Sequence, residues 1–255
     1  MKALITGGSS GIGFAFAKKL LREGYHVVLL SRDEQNLARA VSSLKTLGLT
    51  NVSATMADVR DQASLQAAFQ GIGPVDLLVH SAGILKMCHD TDSPMVVAHK
   101  LDACLETNTV GTAQVISGAL AYLRPGSQIA VLCSVAGLVM FPGGYEAYGT
   151  SKAAQRIWCE SIRGRLLRRG IRLTMVYPSI VKTPMATNLE QAPPICRLVP
   201  WRDPDAVVET FYRDIMNGRR ESYVNVSERL LAIAARIAPR TFKAIVEIGV
   251  RWLAE

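Results

Sequence analysis

Short, mostly apolar segments alternate with helical segments along this chain, and this alternation constrains the fold more than any other feature of the sequence. The apolar segments are rich in Val, Leu and Ile and are Lys2–Thr6, His26–Leu30, Val52–Met56, Val75–Val79, Gln128–Cys133 and Arg172–Val176. The helical segments between and beside them are Phe14–Glu23, Asp33–Leu47, Gln62–Gly71, Lys100–Ala121 and Tyr148–Arg169. Strands without a polar face that alternate with helices are typical of a parallel sheet covered by helices, and right-handed crossovers make it doubly wound. We predict an α/β fold, a doubly wound parallel sheet of about seven strands with helices on both faces, in one domain of residues 1–255.

The composition argues against a disordered chain and against a transmembrane protein. With 49% hydrophobic and 20% charged residues, the chain is that of a packed globule, and no run approaches the roughly 18 apolar residues of a spanning helix. The net charge of +8 suits an anionic cofactor or substrate as well as a solvated basic surface. No aromatic residues alternate with the basic cluster at Arg163–Arg172, so we expect no nucleic-acid partner.

The cysteines and histidines lie far apart in the sequence. Five cysteines form no CxxC pair, and four histidines form no close pair with them, so we expect no metal site. The odd cysteine count, together with a start that shows no secretory leader pattern, favours free thiols in a reducing compartment. We therefore expect a cytoplasmic protein.

A glycine-rich turn, Thr6–Gly13, joins the first strand to the first helix. Glycines permit positive φ and a close approach of a ligand, and the free amides at the helix start attract a pyrophosphate. The spacing is GxxxGxG rather than the commoner GxGxxG. The candidate cofactor-binding residues of this turn are Gly7, Ser9, Ser10, Gly11, Ile12 and Gly13. An ordinary strand-to-helix turn is the alternative.

The second strand ends in Ser31 and Arg32, where an acidic residue would bind the hydroxyls of an adenosine ribose. A guanidinium and a hydroxyl suit a 2′-phosphate instead, so we favour NADP(H) over NAD(H). Asp58, which follows the third strand, is a candidate acceptor for the adenine amino group. The alternatives are a solvated helix start for Arg32 and a helix cap for Asp58.

Tyr148 and Lys152 are four residues apart at the start of a helix and therefore share one face. A nearby ammonium favours the phenolate and lowers the pKa of a tyrosine, which makes the pair suitable for proton transfer to a ketone oxygen. Ser134 ends a buried strand and is a candidate for binding that oxygen, or else a strand-end cap. Asn108 lies within a helical pattern, where its amide is a candidate for holding a proton-carrying water or for an interhelical contact.

Taken in this order, the elements of residues 2–185 resemble the short-chain dehydrogenase/reductase family. The shared motifs are TGGSSGIG (Thr6–Gly13), DVRD (Asp58–Asp61), HSAG (His80–Gly83), Asn108, SVAG (Ser134–Gly137), YGTSK (Tyr148–Lys152) and YPSIVKTP (Tyr177–Pro184). The resemblance implies a Rossmann-like sheet, a homodimer or homotetramer, and the catalytic tetrad Asn108, Ser134, Tyr148 and Lys152. It also implies cofactor contacts through Val59, Ala82, Gly83, Tyr148, Lys152, Pro178, Val181 and Thr183.

The sequence departs from the family pattern at three places. The usual Asn-Asn-Ala-Gly begins with His80-Ser81 here, and the usual Pro-Gly is Pro178-Ser179. One additional residue separates Ser134 from Tyr148, and we place it in the segment 142–144. If that loop cannot accommodate it, Ser134 is displaced from the site.

The last third of the chain carries two candidate substrate elements. We expect residues 184–200 to be an apolar lid, and residues 226–255 to be an amphipathic C-terminal extension. Helices of this kind lie on bilayer surfaces, which would give peripheral membrane contact, or they pack against a partner subunit or the lid. This extension, with Ser31–Asp33, is similar to lipid reductases, namely 3-ketosphinganine reductases and hydroxysteroid dehydrogenases.

These features favour an NADPH-dependent oxidoreductase that reduces a ketone on a hydrophobic small molecule, such as a 3-keto long-chain base or a sterol. One alternative is a reductase of 3-oxoacyl thioesters on an acyl-carrier protein, which the basic segment Arg163–Arg172 would dock. Another is a protein that binds NADPH without turnover.

Overall fold

The computed structural model of the chain describes residues 1–139, 143–186, 200–238, 240, 241 and 244. Within them, seven strands form one sheet in the order β3-β2-β1-β4-β5-β6-β7, and every neighbouring pair is parallel. The strands are β1 (Lys2–Thr6), β2 (His26–Ser31), β3 (Val52–Met56), β4 (Val75–His80), β5 (Leu123–Leu132), β6 (Arg172–Tyr177) and β7 (Glu221–Tyr223). The predicted doubly wound parallel sheet is confirmed.

Helices precede or follow each strand and cover both faces of the sheet. They are α1 (Gly11–Arg22), α2 (Glu34–Thr46), α3 (Gln62–Gln70), α4 (Pro94–Cys104), α5 (Gly111–Ala119), α6 (Glu146–Arg168), α7 (Pro204–Met216) and α8 (Val226–Ile237). A π-helical turn, Leu105–Val110, joins α4 to α5, and a short 3-10 turn, Val135–Gly137, follows β5.

Two apolar layers hold the helices to the sheet. On one face, Phe16 and Leu20 of α1 and Phe211 of α7 pack against the sheet and are fully buried. On the other face, Val115 of α5 and Cys159 of α6 do the same. Both faces of the central strands are thus buried, which explains why those strands lack polar alternation.

Side chains at the helix starts fix where the helices begin. Asp33 accepts a hydrogen bond from the backbone N–H of Asn36 at the start of α2, and Asp61 accepts from Ala63 at the start of α3. These bonds satisfy backbone donors that have no partner within the helix. These caps fix the segments that follow β2 and β3, which lie near the glycine-rich turn after β1.

The predicted helix Lys100–Ala121 differs from the structure in two ways. The helix begins earlier, at Pro94, where Ser93 caps it and proline occupies the first turn. It is also interrupted by the π-helical turn, which contains Asn108. Such turns insert an additional residue into a helix and often occur at functional sites.

The strand order reverses between β1 and β4, which are neighbours in the sheet but not in the sequence. Thr6, the last residue of β1, pairs with Leu30 on one side and His80 on the other. In open α/β sheets, ligands bind in the crevice at this reversal, outside the carboxyl ends of the strands.

Candidate active site

The glycine-rich turn and the β4 end are packed together without room for side chains. Gly7 has φ +66°, and a Cβ atom there would lie 2.8 Å from the backbone nitrogen of Ala82. A Cβ at Gly13 would press against the carbonyl oxygen of Gly7. These glycines let the first turn of α1 approach β4 closely, and the helix start with its free amides then faces the crevice.

A groove of about 350 Å³ runs along this crevice. Most of the predicted cofactor-binding residues line it, namely Gly7, Ser9, Ser10, Gly11, Ile12, Ser31, Arg32, Asp58, Val59, Ala82, Gly83, Tyr148, Lys152, Pro178 and Thr183. Gly13 and Val181 do not line it: Gly13 supports the turn, and Val181 is buried beside the groove in a strand-like bridge with Arg202. Residues that the sequence reasoning missed also line the groove, including Leu30, Asp33, Asn36, Ala57 and Thr107.

The end of β2 presents hydroxyl and guanidinium groups to the groove. Ser9 Oγ donates to Ser31 Oγ at 3.3 Å, which ties the glycine turn to this strand end. Arg32 is exposed at the groove, and no described carboxylate forms an ion pair with it. Its guanidinium is thus available to an anionic ligand.

Asp58 lies in the groove but is engaged by a neighbour. Arg60 Nη2 donates to Asp58 Oδ2 at 2.7 Å, and Arg60 Nε donates to Oδ1 at 3.1 Å. The hydrogen bonds from Arg60 hold the pKa of this carboxyl below its usual value. Asp58 is therefore a carboxylate with two oxygens already paired, and its predicted contact with an adenine stays a prediction.

Tyr148 and Lys152 lie at the other end of the groove, in the first turns of α6. The ammonium nitrogen of Lys152 is 5.9 Å from the centre of the Tyr148 ring, and it donates to the carbonyl of Leu132 at 2.8 Å. Burial raises the pKa of Tyr148 to about 12 and lowers the pKa of Lys152 to about 8. From the sequence, we expected the Lys152 ammonium to lower the pKa of Tyr148; in the structure, loss of solvent around the phenol is the stronger effect and raises it.

Ser134 stands at the carboxyl end of β5, and its side chain has two roles. Its Oγ accepts from the backbone N–H of Ala136 at 3.1 Å, so it caps the 3-10 turn. A hydrogen bond with Ser134 also opposes the effect of burial on the pKa of Tyr148. The additional residue between them therefore does not separate Ser134 from Tyr148. Part of the loop assigned to it lies outside the described residues, and Gly143 and Gly144 have positive φ.

Asn108 is fully buried in the π-helical turn, and its amide is used by protein groups. Its Oδ1 accepts from the backbone N–H of Ile84 at 2.8 Å, and its Nδ2 donates to the Ile84 carbonyl and to Ser151 Oγ, both at 2.9 Å. These bonds fix the backbone that follows Gly83 beside Lys152. Both amide atoms thus have protein partners, and the bond to Ser151 of α6 is the interhelical contact that was the alternative. That Asn108 holds a proton-carrying water stays a prediction.

A buried chain of hydrogen bonds behind Lys152 was not foreseen. Lys152 Nζ donates to Gln155 Oε1 at 3.0 Å, and Gln155 Nε2 donates to Thr112 Oγ1 at 2.7 Å. Thr112 Oγ1 donates its one proton to the Asn108 carbonyl at 2.6 Å. The 2.9 Å bond between His80 Nε2 and Thr112 Oγ1 must therefore be donated by His80.

The other ring nitrogen of His80 completes this chain. His80 Nδ1 accepts from Thr6 Oγ1 at 2.8 Å, and Thr6 Oγ1 accepts from the backbone N–H of Ala82 at 3.3 Å. Burial lowers the His80 pKa to about 3, so the ring is neutral with its proton on Nε2. His80 stands at the first position of the HSAG motif, where the family pattern has asparagine. Through these bonds it connects the glycine turn to Lys152. One feature of the sequence could have indicated part of this hydrogen-bond chain: Gln155 lies three residues after Lys152 and so shares a helix face with it.

Beside the groove is a second, mainly apolar cavity of about 240 Å³. Tyr148 lines both spaces, and Ser134 lines the cavity. The apolar lining residues are Ile12, Leu85, Val135, Ala136, Pro178, Ile180, Val181, Met185, Ala186 and Leu231. Tyr148 therefore lies at the junction between the glycine-lined groove and an apolar cavity.

The family model for short chain dehydrogenases matches residues 1–194. The chain belongs to the short-chain dehydrogenase family. It is thus an oxidoreductase of a family that binds nicotinamide cofactors and small-molecule substrates.

Relatives of this short-chain dehydrogenase include a lipid reductase. A 3-dehydrosphinganine reductase of Arabidopsis thaliana is 30% identical over 202 residues, which cover 76% of this chain and 60% of the relative. A variant of actinorhodin polyketide ketoreductase, solved with NADPH, is 25% identical with a TM-score of 0.71, and the match covers 88% of this chain and 95% of that one. A Burkholderia phymatum short-chain dehydrogenase/reductase, solved with NAD, shares the fold at 23% identity, with a TM-score of 0.75 over 92% of this chain and 94% of its own.

The C-terminal part of this short-chain dehydrogenase is described in part. Most of the predicted lid, residues 187–199, and the end of the predicted extension, residues 245–255, lie outside the described residues. Helix α8 is amphipathic: Ala232 and Ala235 are buried, whereas Leu230, Ile233 and Ile237 are exposed apolar residues. None of the described helices combines the length and apolarity needed to span a bilayer.

The described cysteines are free, and Cys133 is among the residues that line the groove. Cys88, Cys104, Cys133 and Cys159 are free and buried, and Cys196 lies outside the described residues. Over the described ranges, no three His, Cys, Asp or Glu side chains are grouped as a metal site.

Proposed function

We propose that this protein is an NADPH-dependent reductase that converts a ketone on a hydrophobic substrate into an alcohol. One observation carries the proposal: Tyr148 faces both the glycine-lined groove and the apolar cavity. A proton donor at that junction stands between the place for a dinucleotide and the place for an apolar substrate. The likeness to a 3-dehydrosphinganine reductase favours a lipid such as a 3-keto long-chain base.

The groove fits the proposed cofactor. Gly7 leaves no space for a Cβ, and Gly83 lies where a Cβ would come 3.0 Å from Asn108 Oδ1, so backbone atoms line the groove. Arg32 and Ser31 would hold a 2′-phosphate, and the amides of the glycine turn would hold the pyrophosphate. When bound, NADPH supplies the hydride. The exposed guanidinium of Arg32 supports NADPH rather than NADH.

Residues of this protein supply the proton for the ketone oxygen and the charge that stabilises the phenolate left behind. At neutral pH the Tyr148 phenol is protonated, because its pKa is raised to about 12, so it has a proton to donate to the ketone oxygen. Below pH 8, Lys152 is mainly an ammonium, and its charge stabilises the phenolate left after transfer. Ser134, which already bonds with Tyr148, would orient the same oxygen.

Substitution of Tyr148 by phenylalanine tests the mechanism. Removal of the phenol is expected to lower ketone reduction by about a hundredfold or more, since general acid catalysis typically contributes 10²–10⁴-fold. Binding of NADPH, measured by fluorescence titration, should be largely retained. Wild-type rates in the variant, with NADPH still bound, would contradict the proposal.

A broad substrate panel separates the two alternatives. Free long-chain ketones, sterol ketones and 3-oxoacyl groups on a carrier protein are offered with NADPH, and its oxidation is followed. We expect the free apolar ketones to be reduced best. A preference for carrier-bound substrates would favour the thioester reductase, and NADPH binding without oxidation on any of them would favour the non-catalytic protein.

We also propose that the exposed apolar stripe of α8 is covered in the working protein, by a bilayer surface or by a second copy in a homodimer or homotetramer. Leu230, Ile233 and Ile237 form this stripe, and Arg229 lies next to it. Liposome co-sedimentation and light scattering of the wild type and of Ile233→Glu test this. Loss of either lipid binding or assembly in the variant supports the proposal, and no change in both contradicts it.

A further inference from the structure

A second groove lies at the β7 edge of the sheet, and arginines dominate its lining. Strand β7 contributes to it together with α6, α7 and the start of α8. The groove has a volume of about 750 Å³, which is the size of a small-molecule site, and it shares no described lining residue with the glycine-lined groove or the apolar cavity. The charged residues that line this arginine groove are Arg163, Arg213, Arg219, Arg220 and Arg229, with Glu160, Asp214 and Glu221.

The carboxylates of the arginine groove do not neutralise its arginines one for one. Each carboxylate already forms an ion pair, and two of the three pairs use an arginine that does not line the groove. The pairs are Glu160 with Arg156 at 3.0 Å, Glu221 with Arg236 at 2.7 Å and Asp214 with Arg219 at 3.1 Å. Within the part of the chain that the structure describes, the remaining arginines of the groove form no ion pair, and these are Arg163, Arg213, Arg220 and Arg229.

Arg163 is the most constrained of these four arginines. It is half-buried, and its guanidinium donates to the backbone carbonyl of Leu173 through Nη1 and to that of Arg220 through Nη2, the latter at 3.3 Å. These carbonyls orient the group but do not neutralise its charge. Burial and the nearby charge of Arg220 lower the pKa of Arg163, and Glu221 opposes them. A half-buried charge without a counter-ion is unfavourable, and an anion in the groove would offset that cost.

The other three arginines reach the groove from three different segments. Arg213 lies in the last turn of α7, Arg220 in the turn before β7, and Arg229 in α8. All three are exposed, and their guanidinium groups donate to no described group. Like charges that are collected around one groove repel one another, whereas a bound anion would attract all of them.

We propose that the arginine groove is a binding site for a phosphomonoester or diphosphate group, held by Arg163, Arg220 and Arg229. Guanidinium groups match the oxygens of phosphate in geometry. A phosphomonoester carries about two negative charges at neutral pH, whereas a carboxylate carries one, so a phosphate group compensates several guanidinium charges best. The site is separate from the proposed ketone reduction and does not depend on it.

Two kinds of molecule carry this chemistry, a free phosphorylated compound and the headgroup of a phospholipid. Val226 lines the groove and is 71% exposed, and Arg229, which also lines it, precedes Leu230 of the exposed apolar stripe on α8. A lipid would place its phosphate in the groove and its chains along the stripe, so this arrangement favours the lipid headgroup.

The first test titrates inorganic pyrophosphate into the full chain by calorimetry, with and without NADPH. We expect binding that NADPH does not displace. Arg220→Gln and Arg229→Gln should each weaken it by about tenfold or more, because each removes a charged hydrogen bond. Arg168→Gln is the matched control: it removes the same charge from an exposed position at the end of α6 outside the groove, and it should change binding by less than about threefold. Melting temperatures should stay unchanged, since none of these three side chains has a described partner.

The second test identifies the source of the phosphate. Co-sedimentation is measured with phosphatidylcholine vesicles that contain either phosphatidic acid, a phosphomonoester, or phosphatidylserine. Preference for phosphatidic acid that is lost in Arg220→Gln supports a lipid headgroup, and pyrophosphate binding without this preference supports a free phosphorylated compound.

The remaining outcomes contradict the site. They are the absence of both pyrophosphate binding and a preference for phosphatidic acid, displacement of pyrophosphate by NADPH, unchanged binding in Arg220→Gln and Arg229→Gln, and an equal loss in Arg168→Gln. Displacement by NADPH would assign the pyrophosphate to the glycine turn, and an equal loss in the control would show attraction by the overall charge. Ketone reduction is expected to proceed in all these variants, so its failure bears on the reductase proposal alone.

Discussion

Replacing Gln155 by leucine tests the buried hydrogen-bond chain behind Lys152. Gln155 is fully buried, and the substitution removes both its 3.0 Å bond to Lys152 Nζ and its 2.7 Å bond to Thr112 Oγ1. Lys152 keeps its bond to the Leu132 carbonyl, and Thr112 keeps its bonds with His80 and Asn108. The loss is therefore one charged and one neutral buried hydrogen bond, and the free energy of unfolding should fall by about 2–4 kcal/mol. For a chain of this size, the melting temperature should fall by about 5–15 °C.

The same substitution should change the pH dependence of catalysis. Lys152 has a pKa of about 8, and it loses an acceptor that favours its ammonium form, so this pKa should fall by about one unit. The alkaline limb of kcat/KM for ketone reduction should therefore move to lower pH. Gln155→Glu keeps an acceptor and adds a negative charge, so it should move the limb to higher pH.

Two measurements check this prediction: thermal unfolding, and kcat/KM from pH 6 to pH 10. The control is Gln66→Leu on the exposed face of α3, for which stability should change by less than about 0.5 kcal/mol. If Gln155→Leu lowers stability but the limb stays in place in both Gln155 variants, the residue is structural only. Gln155 then does not set the protonation state of Lys152.

Three further substitutions test other parts of the site. Arg32→Ala should reduce the preference for NADPH over NADH by about tenfold to hundredfold in KM, since it removes a charge-assisted contact with the 2′-phosphate; an unchanged ratio would contradict that contact. Burial holds the pKa of His80 at about 3 in the folded protein, against about 6.5 in the unfolded chain. The unfolded chain therefore binds more protons between these pH values. The free energy of unfolding should fall by up to about 5 kcal/mol as the pH falls from 6.5 towards 3. His80→Asn should flatten this acid limb in urea titrations at pH 7, 5 and 4, and an equally steep limb would refute the assignment. Gly13→Ala places a methyl group against the Gly7 carbonyl, so the free energy of unfolding should fall by about 1–3 kcal/mol and NADPH should bind more weakly. An unchanged melting temperature and unchanged NADPH binding would show that the turn can accommodate a side chain.

The sequence was sufficient to predict the sheet, because the strands of a doubly wound fold are buried on both faces and therefore have a distinctive apolar pattern. His26–Leu30 and Arg172–Val176 were predicted within one residue of the observed β2 and β6. The glycine turn was equally readable, since its packing against Ala82 excludes side chains. Short elements were harder: β7 has three residues, too few to show a pattern, and it forms because β6 offers it an edge.

The contacts among buried polar side chains could not be predicted in the same way. For Asn108, a bound water and an interhelical contact were both expected from the sequence. The bonds of its amide to Ile84 and Ser151 depend on the π-helical turn, which local sequence does not determine. The chain from His80 to Lys152 joins residues from β4, α5 and α6, which meet only in the folded molecule. Nothing in the sequence singled out Glu228, which the folded chain brings into the wall of the apolar cavity.

Helix α8 has one side in the substrate cavity and the other open to the outside. Glu228 and Leu231 line the cavity, whereas Ile233 and Ile237 lie on the exposed stripe. Both sides belong to one helix of twelve residues, so the cavity wall and the exposed stripe lie on the same element. If the proposed contact at the outer side of α8 forms, it therefore bears on the same helix that shapes the cavity beside Tyr148.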